Sequence, residues 1–127
     1  MPELIHSTAE VQVTYDEEAN LIHARWSGVV DKKVLEEFYS AVEPTLVRQQ
    51  RVNYFNDFSE LGEITFGARW TGIHHIQKQR PFIIRSAICG SGQTAKWLFE
   101  QAMRLTGRTD VRMFDTEEEA ISWLLCL

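Results

Sequence analysis

The 127-residue chain is long enough for one folded domain, over residues 1–127, with a hydrophobic core of its own. Apolar residues make up 44% of it, and no run approaches the roughly 18 consecutive apolar residues of a membrane-spanning helix, so the composition predicts a globular protein. The formal net charge of -5 argues against general binding to nucleic acid, because such binding depends on neutralising several phosphates.

The first predicted elements form a β-hairpin. Apolar and polar residues alternate along Glu10–Tyr15 and again along Leu21–Ser27, which is typical of half-buried strands. The polar run 16–20 between them predicts the turn.

A helix is predicted after this hairpin, with Asp31 as its N-cap. Its apolar residues recur at three- and four-residue intervals: Val34, Leu35, Phe38, Tyr39, Val42 and Leu46. Pro44 lies within the pattern and lacks a backbone donor, so we expect a kink or a restart there rather than an unbroken helix to Gln50.

The middle of the chain predicts an inner strand over Val52–Phe58, with Asp57 near its end and a loop over residues 59–63. Thr65 is then positioned to cap a helix from Phe66 to about Gln79. Pro81 must end that helix, because it disfavours helical geometry in the residue before it.

The remaining pattern alternates strand and helix to the C-terminus. The predicted elements are a strand over Phe82–Cys89, a helix over Gln93–Thr106 followed by Gly107 as C-cap, a short strand over Val111–Phe114, and a terminal helix opened by a capping box of Thr116 and Glu119. The order ββαβαβαβα predicts an α/β fold: a mixed, mainly parallel sheet with helices packed on it.

This order, Asp57 in a middle strand and the pattern FxxxxEAxxWL at residues 114–124 resemble the SpoIIAA-like proteins, which share the STAS fold of the anti-sigma-factor antagonists. The resemblance covers roughly residues 11–125. In the antagonists, an Asp-Ser pair opens the helix after the middle strand, and a partner kinase phosphorylates the serine.

The matching positions here are Thr65 and Phe66, so the usual serine is absent. Thr65 is the candidate phosphoacceptor in its place, since a phosphate there would be stabilised by the helix N-terminus and by Arg69. The alternative is that Thr65 serves only as the N-cap.

The helix predicted after Thr65 carries a bulky apolar face. Phe66, Trp70 and Ile73 fall within about 40° of one another on a helical wheel. Gly67 and Gly72 each cost on the order of 1 kcal/mol relative to alanine, so the helix is marginal by itself. Such a face is commonly a packing surface, and a homodimer interface is a further alternative.

Positive charge is concentrated around the same helix. The 36 residues 64–99 contain five Lys or Arg and no Asp or Glu. Arg69, Lys78 and Arg80 therefore flank the apolar face, as in helices that lie in a membrane interface.

Two functional hypotheses follow. In the first, the protein binds a nonpolar small molecule or lipid in a cavity gated by the helix 65–79, with reversible membrane association through Phe66, Arg69, Trp70, Ile73, Lys78 and Arg80. In the second, it is a protein-interaction module of the anti-sigma-factor antagonist type, without the usual phosphoserine, that binds a regulatory protein partner.

The turn Gly90-Ser91-Gly92 is a candidate anion-binding site, because it follows a strand and opens a helix whose free amides favour an anion. It matches neither a Walker A loop nor a complete GxGxxG motif. The alternative is a tight strand-to-helix connection.

No motif predicts an enzyme, a metal site or a cofactor. His74 and His75 are adjacent, so on a helix they point about 100° apart and do not chelate together. Asp57 and Cys89 lie in no nucleophile motif, and Asp57 is expected to hold the following backbone. The two cysteines lie in no CxxC or Cys/His motif, and the N-terminal residues lack a secretory pattern. These two observations predict a cytoplasmic protein that is at most peripheral at a membrane.

Overall fold

The computed structural model describes residues 2–90 and 110–126 of the chain. In chain order its elements are β1 Glu3–Ser7, β2 Val11–Asp16, β3 Leu21–Val30, α1 Lys32–Gln49, β4 Val52–Ile64, α2 Phe66–Gln79, a 3-10 turn Arg80–Phe82, β5 Ile83–Cys89, β6 Val111–Phe114 and α3 Glu117–Leu125. The predicted helix Gln93–Thr106, together with Gly107, lies outside the described residues.

The strands form a six-stranded sheet in the order β1-β2-β3-β4-β5-β6. The pairs β1–β2 and β2–β3 are antiparallel, and each later pair is parallel. The predicted mixed, mainly parallel α/β sheet is therefore confirmed. The prediction missed β1, a short edge strand in which Leu4 is 58% exposed, because its sequence shows no alternation that marks a buried face.

The predicted loop over residues 59–63 is wrong, since β4 continues to Ile64. The reason is its parallel pairing with β3, which extends to the partners Val30 and Ile64 despite two register shifts. Within this extension a Cβ on Gly62 would lie 3.1 Å from the Gly28 carbonyl oxygen, and Gly28 itself has a φ of +68°. Gly28 and Gly62 thus permit the close approach of β3 and β4.

The restart that was one of the two alternatives predicted at Pro44 is also wrong, because α1 runs unbroken to Gln49. Val42 and Leu46 on either side of Pro44 are almost completely buried, and each such side chain contributes roughly 1.5–3 kcal/mol. Packing on the sheet thereby offsets the missing hydrogen bond. The predicted N-cap is confirmed: Asp31 Oδ1 accepts a hydrogen bond from the Val34 amide at 2.9 Å.

The helices cover the two faces of the sheet. On one face, α1 and Ala68 of α2 pack against the inward side chains of β3 and β4, among them Trp26 and Tyr54. On the other face, Ala120 and Leu124 of α3 pack against Phe55, Ala87 and Cys89. Successive strand residues point to opposite faces, so each strand supplies both cores.

The helix ends follow the sequence signals. Thr65 Oγ1 accepts a hydrogen bond from the Ala68 amide at 3.3 Å, and Thr116 Oγ1 accepts one from the Glu119 amide at 3.2 Å. Pro81 lies in the 3-10 turn directly after α2.

Gly90 provides a test of the fold at the end of β5. Its φ is +86°, and a Cβ there would lie 2.4 Å from the Ser59 backbone nitrogen. We expect Gly90→Ala to lower the free energy of unfolding by about 2 kcal/mol or more, measured by urea denaturation. Gly67→Ala is the matched control, because nothing lies within 4 Å of its added Cβ, and we expect it to raise stability by roughly 0.5 kcal/mol. Equal changes in the free energy of unfolding for the two variants would contradict the close approach of Gly90 to Ser59 of β4.

Candidate functional site

A pocket of about 420 Å³ lies between α2, α1 and the sheet face that these helices cover. Its walls are mainly apolar and include Trp26, Leu35, Phe38, Ile83, Ile88 and Met113. Among the described residues that line it, Arg69 is the one charged side chain, and none is an Asp or Glu. The arrangement suits a nonpolar molecule rather than a polar one.

The space exists because α2 presents small residues to the sheet. Ala68 and Gly72, four positions apart, both line the pocket, and Ala68 is completely buried. Residues four apart share one face of a helix, so a strip without bulk faces the core. The aromatic side chains of α2, Phe66 and Trp70, lie outside the pocket lining.

A few polar groups are built into the pocket walls. The Tyr54 hydroxyl donates to Gln79 Oε1 at 3.4 Å, and Trp26 Nε1 donates to Asn56 Oδ1 at 3.0 Å. Burial raises the pKa of Tyr39 to about 12 and, together with the neighbouring Tyr39, also raises the pKa of Tyr54. Both phenols are therefore neutral at physiological pH.

The pocket opens to solvent along α2. Ile73 and Ile76 line it and are nevertheless 49% and 40% exposed, which places them at its mouth. Arg69 also lines the pocket while being exposed, and its Nε donates to the Ile64 carbonyl oxygen at 3.1 Å.

The residues predicted to bind a ligand or membrane fall into two groups. Arg69 and Ile73 line the pocket. Phe66 and Trp70 lie on the outer surface, 73% and 62% exposed, with their rings edge to face at 6.1 Å. Lys78 and Arg80 are exposed and also lie outside the pocket lining.

The two other predicted sites have different outcomes in the described region. The Thr65 hydroxyl is used as the N-cap of α2, and its phosphorylation stays a prediction. Gly90 is held against Ser59, whereas Ser91 and Gly92 of the candidate anion-binding turn lie outside the described residues.

Sequence reasoning missed the pocket walls from α1 and the sheet. Tyr39, Tyr54 and Ser86 belong to amphipathic or alternating patterns that look the same whether a side chain meets a core or a cavity. Asn56, a polar residue between Tyr54 and Phe58 on the pocket-lining side of β4, was the available signal.

A polar cluster around Asp57, on the opposite face of the sheet, stabilises the fold. Asp57 Oδ1 accepts hydrogen bonds from the Ser59 amide at 2.9 Å and the Ser59 hydroxyl at 2.6 Å, while Arg25 Nε lies 3.4 Å from Oδ2. Asp57 thus holds the backbone after it, as expected. Burial and then the charge of Asp57 raise the pKa of Cys89 to about 11, so the thiol is protonated and a poor nucleophile.

His23 is the histidine nearest this cluster in the sheet, and its Nε2 pairs with Glu117 at 3.2 Å. Within residues 2–90 and 110–126, no group of three or more His, Cys, Asp or Glu is arranged to hold a metal ion. No helix of the same region has the length and apolar content needed to cross a membrane.

The SpoIIAA-like family model matches residues 21–125. The chain belongs to the SpoIIAA-like family. Among curated proteins, no sequence matches it. The described pocket and sheet therefore belong to a SpoIIAA-like domain.

Solved structures of the same fold are similar throughout the chain. An uncharacterised protein from Shewanella loihica with a SpoIIAA-like fold is 20% identical, with a TM-score of 0.71 over 99% of this chain and 93% of that one. The anti-sigma-factor antagonist SpoIIAA in its unphosphorylated form is 15% identical, with a TM-score of 0.63 over 100% of both chains. The phosphorylated Bacillus SpoIIAA is 13% identical, with a TM-score of 0.59 over 98% of this chain and 99% of that one.

These identities show a shared fold. The SpoIIAA-like fold suggests a regulatory or interaction module, and it is generally non-enzymatic.

The ionised form of Asp57 should stabilise this SpoIIAA-like fold. Burial alone would raise its pKa, but the hydrogen bonds from Ser59 and the charge of Arg25 outweigh burial and lower the pKa below its ordinary value. A lowered pKa contributes stability above the unfolded value of about 3.9, and that contribution is lost as pH falls through the folded pKa. We expect Asp57→Asn to be less stable than wild type at about pH 7 and to lose less stability on acidification to about pH 2.

Urea denaturation across this pH range measures the effect, with the exposed Glu60→Gln as control. The control should keep the acid sensitivity of the wild type. An Asp57→Asn variant that is as acid-sensitive as wild type would contradict the role given to the carboxylate.

Proposed function

We propose that this SpoIIAA-like protein binds a nonpolar small molecule or lipid in the pocket beneath α2. The observation that carries the proposal is the pocket itself: about 420 Å³, walled by apolar side chains and open beside Ile73 and Ile76. Ligand sites commonly have volumes of about 300–1,000 Å³ and a mainly apolar lining with a few polar groups. Tyr54, Asn56 and Gln79 are among the polar groups of that kind here.

In this proposal α2 acts as the gate. Ala68 is its one buried residue, so little apolar area holds the helix on the sheet. Two polar contacts add to this: the ring of His75 stacks on Tyr39 with centroids 4.4 Å apart, and Gln79 accepts the long hydrogen bond from Tyr54. An element with few buried contacts and low helix propensity opens at lower free energy than the core.

The charge state of His75 suits a closed helix. Partial burial lowers its pKa, and the nearby His74 and Lys78 lower it further, while Glu36 and Glu43 of α1 act in the opposite direction. The net shift is downward, so the imidazole that stacks on Tyr39 is neutral at physiological pH.

Filling the pocket should weaken ligand binding. We expect Ala68→Leu to weaken binding of the neutral fluorescent probe N-phenyl-1-naphthylamine by about tenfold or more, because the added side chain occupies the space that the probe needs. Fluorescence titration measures this effect.

Gly67→Leu is the matched control for Ala68→Leu. It adds the same side chain at the neighbouring position, where an added Cβ meets nothing within 4 Å. The control should bind the probe as wild type does, with circular dichroism verifying the fold of both variants. Unchanged probe binding by Ala68→Leu, or no probe binding by the wild type, would overturn the proposed function.

We also propose that the outer face of α2 contacts membranes reversibly. Phe66 and Trp70 place large apolar surface in solvent, and Arg69, His74, Lys78 and Arg80 lie on the same segment without a carboxylate among residues 64–90. Aromatic side chains flanked by cations are typical of helices that lie at an anionic lipid surface.

We expect Trp70→Ala to reduce binding to phosphatidylcholine–phosphatidylserine vesicles by about tenfold. Burying a large apolar side chain contributes roughly 1.5–3 kcal/mol, and about 1.4 kcal/mol corresponds to a tenfold change in affinity. Its probe binding should be unchanged, since Trp70 lies outside the pocket lining. Raising NaCl to about 0.5 M should also weaken vesicle binding. Sedimentation with vesicles measures both effects.

Val47→Ala is the control for Trp70→Ala, because Val47 is 61% exposed on α1, away from these cations. It should leave vesicle binding unchanged. Vesicle binding that responds to neither salt nor Trp70→Ala would exclude membrane contact through α2.

A second candidate function is a protein-interaction module of the anti-sigma-factor antagonist type without the usual phosphoserine. Its support is the likeness to SpoIIAA, with Thr65 and Phe66 at the start of α2. The exposed Phe66 and Trp70 would then contact a regulatory protein. A stable complex with such a protein, formed by a chain that binds no nonpolar probe, would favour this function.

A further inference from the structure

Arg69 has an unusual position among the cations of α2. It is the one charged side chain among the described residues that line the pocket, and no carboxylate of that lining neutralises it. Lys78 and Arg80, by contrast, do not contribute to the lining. From the described residues, a ligand inside the pocket would therefore meet one positive charge and no negative one.

The guanidinium of Arg69 retains most of its hydrogen-bonding capacity. Its Nε donates to the Ile64 carbonyl oxygen at 3.1 Å, at the start of its own helix. None of the ion pairs within residues 2–90 and 110–126 involves Arg69. Both terminal nitrogens thus remain available, and their planar fork matches the geometry of a carboxylate.

The pocket has a charged end and an uncharged end. Arg69 lies in the first turn of α2 and Gln79 is its last residue, and both line the pocket. At about 1.5 Å per residue, they are separated by about 15 Å along the helix axis. Gly72, Ile73 and Ile76 lie between them, and Gln79 accepts a hydrogen bond from the Tyr54 hydroxyl.

We propose that the ligand is an elongated apolar monocarboxylate, of the kind represented by a medium-chain fatty acid. Its carboxylate pairs with Arg69 at the rim, and its hydrocarbon chain lies beneath α2 toward Gln79. The single cation matches a single negative charge, and the apolar walls match the chain. This inference rests on the proposed function, since it names the ligand class of the same pocket.

The test compares ligands that share one chain and differ in the head group: decanoate, 1-decanol, decyl phosphate and decyltrimethylammonium. Isothermal titration calorimetry at about pH 7, where the carboxylate is ionised, measures their affinity for the full chain. We expect decanoate to bind about tenfold tighter than 1-decanol, because a charge-assisted hydrogen bond is added. Decyltrimethylammonium should bind most weakly.

Arg69→Gln should reduce decanoate affinity about tenfold, to the level of 1-decanol, and leave 1-decanol unchanged. Arg69→Lys should retain part of the preference for decanoate, because it keeps the charge and loses the fork. Arg48→Gln is the matched control, since it removes an exposed arginine of α1 that lies outside the pocket lining. It should leave both affinities as in wild type.

The outcomes separate this inference from the proposed function. Equal binding of decanoate and 1-decanol, in wild type and Arg69→Gln alike, would overturn the role of Arg69 while the nonpolar pocket stands. An equal loss of decanoate affinity in Arg48→Gln would show a nonspecific charge effect and overturn it too. Tighter binding of decyl phosphate would overturn the choice of a monocarboxylate. No binding of any decyl compound would overturn the inference and the proposed function together.

Discussion

The parallel pairing of β3 with β4 is the constraint on which the rest of the structure depends. It continues from Leu21 and Asn53 to Val30 and Ile64, well beyond the point at which β4 leaves β5. The Thr65 amide then donates to the Val30 carbonyl oxygen at 3.0 Å, so the end of this ladder also sets the start of α2. The position of the helix over the sheet, and hence of the pocket, follows from that pairing.

The composition of α2 then gives its two sides different properties. Small residues, Ala68 and Gly72, face the sheet and leave a cavity where bulky ones would have filled the core. Phe66 and Trp70 are mostly exposed to solvent and form an apolar surface on the outside of the helix. Arg69 lies at the rim between these sides.

On the opposite face of the sheet, polar and apolar side chains are packed together and serve the structure of the fold. Asp57 is satisfied by Ser59 and Arg25, and α3 covers the apolar side chains around it. The buried Cys89 has a raised pKa and so lacks the reactivity of a catalytic thiol. The Asp57 carboxylate on this face holds its own strand and contacts Arg25 of β3, and the ligand-sized space lies on the other face.

The sequence alone determined the features that depend on near neighbours in the chain: the hairpin, the caps at Asp31, Thr65 and Thr116, and the family pattern at residues 114–124. A cap or a turn is decided within a few residues, so local chemistry is enough. Only the tertiary structure decided the strand state of β1 and of residues 59–64, because an edge or an extension is a strand only when a partner pairs with it. The pocket too was decided only by the tertiary structure. The sequence of α2 shows which of its residues are small and which are large, but packing against α1 and the sheet determines which of them enclose a cavity.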